Sequence, residues 1–280
     1  MLTIPFTKMQ GLGNDFVVLD FVNQPIELSE QQFAQIVDRR FGVGCDQILI
    51  VEPSETAGID FHYRIINANG SEVGQCGNGA RCLAKFVHQH GLTTKTSINV
   101  ATSTSVMNLQ TNPTGDVTVN MGKVSFTPEE IPFDANDVSQ RNGLYTIPLN
   151  QTKEVSIAIA NIGNPHCMLL VDDIETTKVE EIGKQLESHQ RFPEKVNVGF
   201  MQMLNPDEIK LRVFERGAGE TMACGSGACA AVAMGQELGL LCENVIVHLL
   251  GGELHIRRTP ENDMIMTGAA EFCFTGEITL

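Results

Sequence analysis

The chain has 280 residues, 42% of them hydrophobic, with a formal charge of -15 and eight cysteines. That length is long for a single core and fits two domains of roughly 120 to 150 residues each. The acidic balance excludes a nucleic-acid surface or a binder of anionic membranes, which need clustered Lys and Arg, but an anionic substrate stays admissible because charges beyond a Debye length of about 8 Å are largely screened.

Residues 1–8 have neither a basic leader nor a long apolar core, so they read as part of a first strand over 3–9 and not as a signal peptide. No run reaches membrane-spanning length, and without a secretion signal the thiols are expected to be reduced and the compartment cytoplasmic. A turn at Gly11-Leu12-Gly13-Asn14-Asp15 puts Asn14 on a loop before a strand over 16–21. Ser29 offers an N-cap to a surface helix ending near Arg39-Arg40. Strands are expected over 48–51 and 61–66, then a turn at Asn67-Ala68-Asn69-Gly70, a helix after Cys76, and strands over 98–101, 105–109 and 117–121. Residues 122–151, with Pro128, Pro132 and Pro148, read as the crossing between halves.

The second half repeats the pattern. Strands are expected over 155–160, 167–171, 196–203 and 209–214, with a helix over 179–186, a turn at Gly163-Asn164-Pro165-His166 and a loop over 215–221 that leads to Cys224 and its helix. Closing strands are expected over 245–248, 253–257, 264–268 and 271–275.

Gly74-Gln75-Cys76-Gly77-Asn78-Gly79-Ala80 and Met222-Ala223-Cys224-Gly225-Ser226-Gly227-Ala228 are two versions of one motif, 148 positions apart. At the same shift Arg64 lies over Arg212 and Glu72 over Glu220; at 150, Gly13-Asn14 lies over Gly163-Asn164 and Gln47 over Asn197. Polar residues recur while apolar filler drifts, the pattern of two duplicated halves facing one site. A cysteine before a helix start is placed to ionise, and the unpaired N–H groups beside it can hold an anion.

The spacing of Cys76 and Cys82, and of Cys224 and Cys229, does not suit a metal site. Cys82 and Cys229, with Cys45, Cys167, Cys242 and Cys273, read as buried small hydrophobes. Gly225 to Ala230 fits G-x-G-x-x-A but lacks the strand that must precede a dinucleotide fingerprint. Two thiols on opposite sides of one carbon suit stereochemical inversion, one removing a proton and the other returning one. A redox-sensing dithiol protein and an anion-binding module remain open on the same residues.

Gly13-Asn14-Asp15-Phe16, Asn67-Ala68-Asn69-Gly70-Ser71-Glu72, Cys76 to Arg81, Gly163 to Cys167, Asn197 to Phe200 and Glu215 to Thr221, in that order over nearly the whole chain, resemble the diaminopimelate epimerases. The Cys-Gly loops alone are shared with proline racemases, which leaves a proline-racemase-like amino-acid racemase as the alternative. The resemblance implies an α+β fold of two pseudo-symmetric domains, each a mixed sheet or barrel wrapped around a central helix. The first would cover 1–120 with a C-terminal strand near 270–280, the second 121–269.

It also implies a cofactor-independent isomerase acting on LL- and meso-2,6-diaminopimelate on the lysine and peptidoglycan route, with no metal and no pyridoxal phosphate. Cys76 and Cys224 would be the acid and base, with His166 and Glu215 assisting. Gly77, Asn78, Gly225 and Ser226 would hold the reacting carboxylate, and Asn14, Gln47, Asn67, Asn164, Asn197, Glu215 and Arg216 would touch substrate. Asn69 departs from the Asp that many members carry, beside a matched contact and not on one. The expected partner is the small-molecule substrate, with no nucleic acid and no membrane; a homodimer is an assembly open to the chain.

Overall fold

The computed structural model of the chain describes residues 2–74, 76–150 and 152–280. Its backbone falls into two units, Met1–Asn120 with Thr267–Leu280, and Met121–Met266. Strands predominate and each unit carries one long helix, the α+β architecture expected from the sequence.

The first unit opens with the hairpin β1 (Thr3–Gly11) and β2 (Asn14–Asp20). Helix α1 (Glu30–Val37) starts in a capping box: Ser29 Oγ accepts the Gln32 N–H and Gln32 Oε1 accepts the Ser29 N–H, so two helix-end donors are satisfied reciprocally. Its Phe33, Ile36 and Val37 join Val17, Leu19, Ile48 and Ile50 in a buried cluster. Strand β3 (Gln47–Pro53) lies parallel to β2, and β4 (Phe61–Asn67) antiparallel to β3. The short β5 (Glu72–Val73) leads to helix α2 (Gly77–Gln89), then β6 (Ser97–Ala101), β7 (Val106–Thr111) and β8 (Val117–Lys123).

The second unit begins with a 3-10 turn at Pro128–Glu130, then β9 (Ser139–Arg141), β10 (Leu144–Pro148), β11 (Glu154–Asn161) and β12 (Pro165–Leu170). Helix α3 (Val179–Glu187), β13 (Asn197–Asn205), β14 (Glu208–Glu215), β15 (Gly219–Thr221) and helix α4 (Gly225–Glu237) follow. The unit's last strands are β16 (Asn244–Leu249), β17 (Gly252–Arg258) and β18 (Asp263–Gly268). The final strand, β19 (Glu271–Thr279), pairs antiparallel with β1 in the first unit.

The two units repeat one pairing scheme. A parallel pair (β2–β3, β12–β13) is followed by an antiparallel one (β3–β4, β13–β14) and then by a parallel partner for the last strand (β4–β6, β14–β16). Even the ion pair that pins the strand before the cysteine loop recurs, as Arg64–Glu72 at 3.1 Å and Arg212–Glu220 at 2.6 Å.

The two long helices sit against their sheets in different ways. Helix α4 is built of Gly, Ala and other small residues and is buried almost all round, which lets strands approach it from several sides; β11, β12, β13, β14 and β17 pack against it. Helix α2 packs against β1, β2, β3 and β7. It buries Arg81 completely, and that guanidinium is anchored by an Nε–H bond to the Ala269 carbonyl at 3.0 Å.

Some expectations are corrected. The stretch expected as a crossing is more than that: residues 122–150 hold β9 and β10, β10 pairing with β9 and with the following β11, and Pro148 is tolerated because it ends its strand. Asn14 is the first residue of β2, paired with Gly11, and not on a loop. Pro165 and His166 likewise open β12. Cys242 and Cys273 are exposed, in the turn after α4 and on β19, whereas Cys45, Cys82, Cys167 and Cys229 are buried as expected.

Candidate active site

Both cysteine loops end in the same backbone geometry. Cys76 caps α2 with φ -148° and ψ 105°, and Cys224 caps α4 with φ -120° and ψ 106°, so each sulfur stands beside first-turn N–H groups that have no partner within the helix itself. Gly77 and Asn78 form the first turn above Cys76, and Gly225 and Ser226 the first turn above Cys224. Gly79 has to be glycine: a Cβ there would lie 2.1 Å from the buried Tyr63 hydroxyl oxygen.

Two amide groups stand against Cys76. The Gly79 N–H donates to Sγ at 3.3 Å, and Asn14 Oδ1 lies 4.0 Å from the sulfur. Asn78 Nδ2 donates to the same Asn14 oxygen at 3.4 Å. One strand away, facing residues of β3 and β4, Gln47 Nε2 donates to Asn67 Oδ1 at 2.8 Å, and Asn67 Nδ2 donates to Ser71 Oγ at 3.1 Å. Asn14, Gln47, Asn67, Cys76 and Asn78 therefore all belong to one end of the first unit's sheet and the helix start beside it.

Cys224 meets a carboxylate. The residue is 4% exposed, and its S–H donates to Glu215 Oε2 at 3.1 Å while Thr221 Oγ1 donates to Glu215 Oε1 at 2.5 Å. Burial pushes the Cys224 thiol well above its ordinary value, and the Glu215 charge pushes the same way; both disfavour the thiolate. Ser226 Oγ lies 3.6 Å from Sγ and 3.2 Å from His166 Nε2, so the hydroxyl bridges thiol and imidazole.

His166 is completely buried. Desolvation, with the Arg216 charge second, brings its pKa down to about 3, so the ring is neutral at physiological pH. Nε2 stands 2.9 Å from Asn164 Oδ1, and Asn164 Nδ2 donates to Ser226 Oγ at 3.2 Å. That pattern gives the proton to Nε2 and leaves the buried Nδ1 without a hydrogen-bond partner among the described residues. Among the described residues, His166 thus reaches Cys224 through Ser226.

Asn197 is buried and ties two chain segments together. Its Nδ2 donates to the Pro165 carbonyl and its Oδ1 accepts the Arg216 N–H, both at 2.9 Å. The Arg216 side chain is exposed, with Nη1 donating to the Glu194 carbonyl at 3.0 Å. A charged head on a short tether to a carbonyl leaves guanidinium donors for a carboxylate.

Three residues the sequence reading did not single out stand close to these groups. Asp46 accepts from Asn14 Nδ2 at 2.9 Å, Thr221 fixes Glu215, and Thr104 Oγ1 donates to the Gly74 carbonyl at 3.1 Å, holding the loop before Cys76. Thr221 was within reach of sequence reasoning, as a hydroxyl three residues before Cys224, although the expected loop over 215–221 is in fact the end of β14, a turn and β15. Asp46 and Thr104 were not, since neither takes part in the internal repeat.

The family model for diaminopimelate epimerase matches residues 6–127 and 158–273 of this chain. The diaminopimelate epimerase of Thioalkalivibrio sulfidiphilus is 50% identical over 283 residues, covering 100% of both chains. That of Legionella pneumophila strain Philadelphia 1 is 49% identical over 276 residues, covering 98% of this chain and 99% of its own. Among solved structures, a hydroxyproline epimerase from Agrobacterium vitis superposes with a TM-score of 0.72 at 12% identity, covering 99% of this chain and 92% of its own. A Bacillus anthracis protein of the PhzF family does so with a TM-score of 0.70 at 16% identity, covering 100% of both. At those identities the structural likeness speaks for the fold alone.

Proposed function

The chain belongs to the diaminopimelate epimerase family, and we propose from that premise that it interconverts LL- and meso-2,6-diaminopimelate by proton transfer between Cys76 and Cys224, without a cofactor. The observation that carries the reading is the repeated cysteine at a helix start, set among amides in one unit and against a carboxylate in the other.

The chemistry asks for one thiolate and one thiol. A thiolate takes the α-hydrogen as a proton, the electron pair stays on carbon and is delocalised into the neighbouring carboxylate, and the second S–H delivers its proton to the opposite face. The thiol and thiolate have then exchanged places. Because burial and Glu215 hold Cys224 as the thiol, we assign Cys224 as the acid in the free enzyme and Cys76 as the base for that direction. The N–H groups of Gly77, Asn78, Gly225 and Ser226 are assigned to the reacting carboxylate, where helix-start donors favour negative charge.

Diaminopimelate also has a distal amine and carboxylate that a selective enzyme must grip. Arg216 is assigned to the distal carboxylate, Asn67, Asn164 and Asn197 to further substrate contacts, and Asn14 and Gln47 to contacts beside Cys76. His166 is assigned to orienting Ser226 and Asn164, since its neutral ring is a poor proton donor. The place of action we propose is the cytoplasm, on the lysine and peptidoglycan route; among the described residues no helix is long and apolar enough to cross a membrane. A homodimer is part of the proposal, supported by the exposed Phe41 and Phe274 on the first unit.

The test is turnover of LL-diaminopimelate in deuterium oxide with the purified protein. The proposal expects meso product carrying deuterium at the inverted carbon. Reversible oxidation of the two thiols with no exchange at carbon would move the reading to a redox protein, and inversion of proline at an equal rate would move it to the racemase alternative.

A further inference from the structure

We propose that Asp46 is a positioning residue for the reaction: its carboxylate fixes the Asn14 side-chain amide so that the carbonyl end, and not the NH2 end, faces the Cys76 thiol. The inference rests on the reading of Cys76 as an acid/base thiol and extends it to the residue that holds Asn14.

An ionised carboxylate accepts hydrogen bonds and donates none, so the Asn14 group 2.9 Å from Asp46 Oδ2 has to be the amide nitrogen. The other end of the amide, Oδ1, is thereby turned toward Asn78 Nδ2 at 3.4 Å and Cys76 Sγ at 4.0 Å. The two ends of such an amide differ little in shape, and a hydrogen-bond partner that can only accept is what distinguishes them.

Asp46 is itself held from several sides. Its Oδ2 also accepts the Asp15 N–H at 3.1 Å, and its Oδ1 takes Arg39 Nη2 at 2.7 Å. The Asp46 N–H returns a bond to Asp15 Oδ1 at 3.0 Å, and Asp15 is clamped by Lys8 at 2.6 Å and Arg39 at 2.7 Å. The Lys8 ammonium also donates to the Gly44 carbonyl. Two cations and two carboxylates thus brace one hydrogen bond to one amide.

Among the described residues the other unit has no such brace. Val196 stands 150 positions after Asp46, and Asn164 is held by Ser226 and His166. The equivalent asparagines are therefore held by different means in the two halves: a carboxylate fixes Asn14, and a hydroxyl and an imidazole hold Asn164.

The chemical consequence falls on Cys76. A carbonyl oxygen accepts from S–H or from a substrate ammonium and gives a thiolate no hydrogen bond, so it keeps the thiolate basic. An NH2 group in the same place would stabilise the thiolate and make it a weaker base. Tyr63 of β4 and Cys82 of α2 also face Cys76 electrostatically, and both stay in place in the variants below.

The test compares Asp46→Ala with Asp46→Asn, which keeps a carbonyl oxygen for the Asn14 NH2. Iodoacetamide labelling of the Cys76 peptide, read by mass spectrometry across pH, gives the ionisation midpoint, and steady-state assays give kcat and KM. Asp46→Ala should lower the Cys76 midpoint and reduce kcat about tenfold with a smaller change in KM, and Asp46→Asn should restore most of both. An unchanged midpoint in Asp46→Ala, or equal impairment of both variants with the midpoint of the wild type, would overturn the proposal. Asp46→Val is a second variant without an acceptor that reads the same way where Asp46→Ala does not fold. Labelling needs no turnover, so a wild type lacking epimerase activity sinks the function proposed above while the amide lock is still tested by the midpoint.

Discussion

Cys76 and Cys224 occupy equivalent places in two halves with one pairing scheme, yet their surroundings differ in the property that matters for proton transfer. The sulfur of Cys76 accepts a backbone N–H and faces a neutral amide; that of Cys224 is buried and donates to a carboxylate. Duplication has repeated the backbone and the helix start while the contacts around each thiol have diverged. Two groups of one chemical kind become an acid and a base when their environments push their proton affinities apart, and the Glu215 contact supplies such a push on one side.

The strongest way to break the comparison is to remove each sulfur in turn. Cys76→Ala and Cys224→Ala should each lower kcat by at least about 10²- to 10⁴-fold, the usual contribution of a positioned acid or base. Both lie at loop ends, so circular dichroism and thermal melting should show folded protein. A variant that retained near-normal turnover would mean that one half of the repeat carries the chemistry alone.

The duplication was legible before the structure because polar residues keep register at shifts of 148 and 150, and the helix starts at Cys76 and Cys224 followed from it. Helix α1 was legible from Ser29. What pairs with what was not. Arg64 and Glu72 could be seen to recur as Arg212 and Glu220, but only the pairing of β4 with β5, and of β14 with β15, brings each Arg to its Glu. Strands β9 and β10 escaped notice because their stretch is rich in prolines and β9 has only three exposed residues. Asn14 and Pro165 look like turn residues and do sit beside turns, yet each already opens a strand. Asp46 lay hidden for a different reason: the repeat puts Val196 in its place, so the signal that marked the rest of the site was silent there.

A smaller perturbation sharpens the contrast by making the second site more like the first. Glu215→Gln keeps the shape and the Thr221 contact but removes the charge facing Cys224. The alkylation midpoint of Cys224 should then fall by on the order of one pH unit, because a like charge no longer opposes the thiolate. Turnover should drop about tenfold, with a smaller effect on KM, since the loss is in proton transfer more than in binding. A midpoint that stayed where it was would show that burial alone holds Cys224 protonated and that Glu215 acts elsewhere.

The last contrast concerns His166, which has no counterpart near Cys76: position 16, which lies 150 before it, is Phe16. An unfolded histidine ionises near pH 6.5, but in the folded protein His166 does so only at about 3, because desolvation, with Arg216 second, opposes its charge. Below pH 6.5 the unfolded chain therefore binds a proton that the folded chain refuses. Stability from this residue is fully present above that pH and is lost progressively as pH falls toward 3, at about 1.4 kcal/mol per pH unit. Glutamine places an amide NH2 near the position of Nε2 and does not titrate, so His166→Gln should retain the bond to Asn164 while abolishing that slope. Urea unfolding at pH 4, 5, 6, 7 and 8 measures it: the wild type and variant should run parallel above pH 7 and diverge below 6, with the variant losing less. Parallel curves throughout would mean that His166 takes up its proton in the folded protein as readily as in the unfolded one, and the ring would then have to be reconsidered as a proton carrier for Cys224 through Ser226.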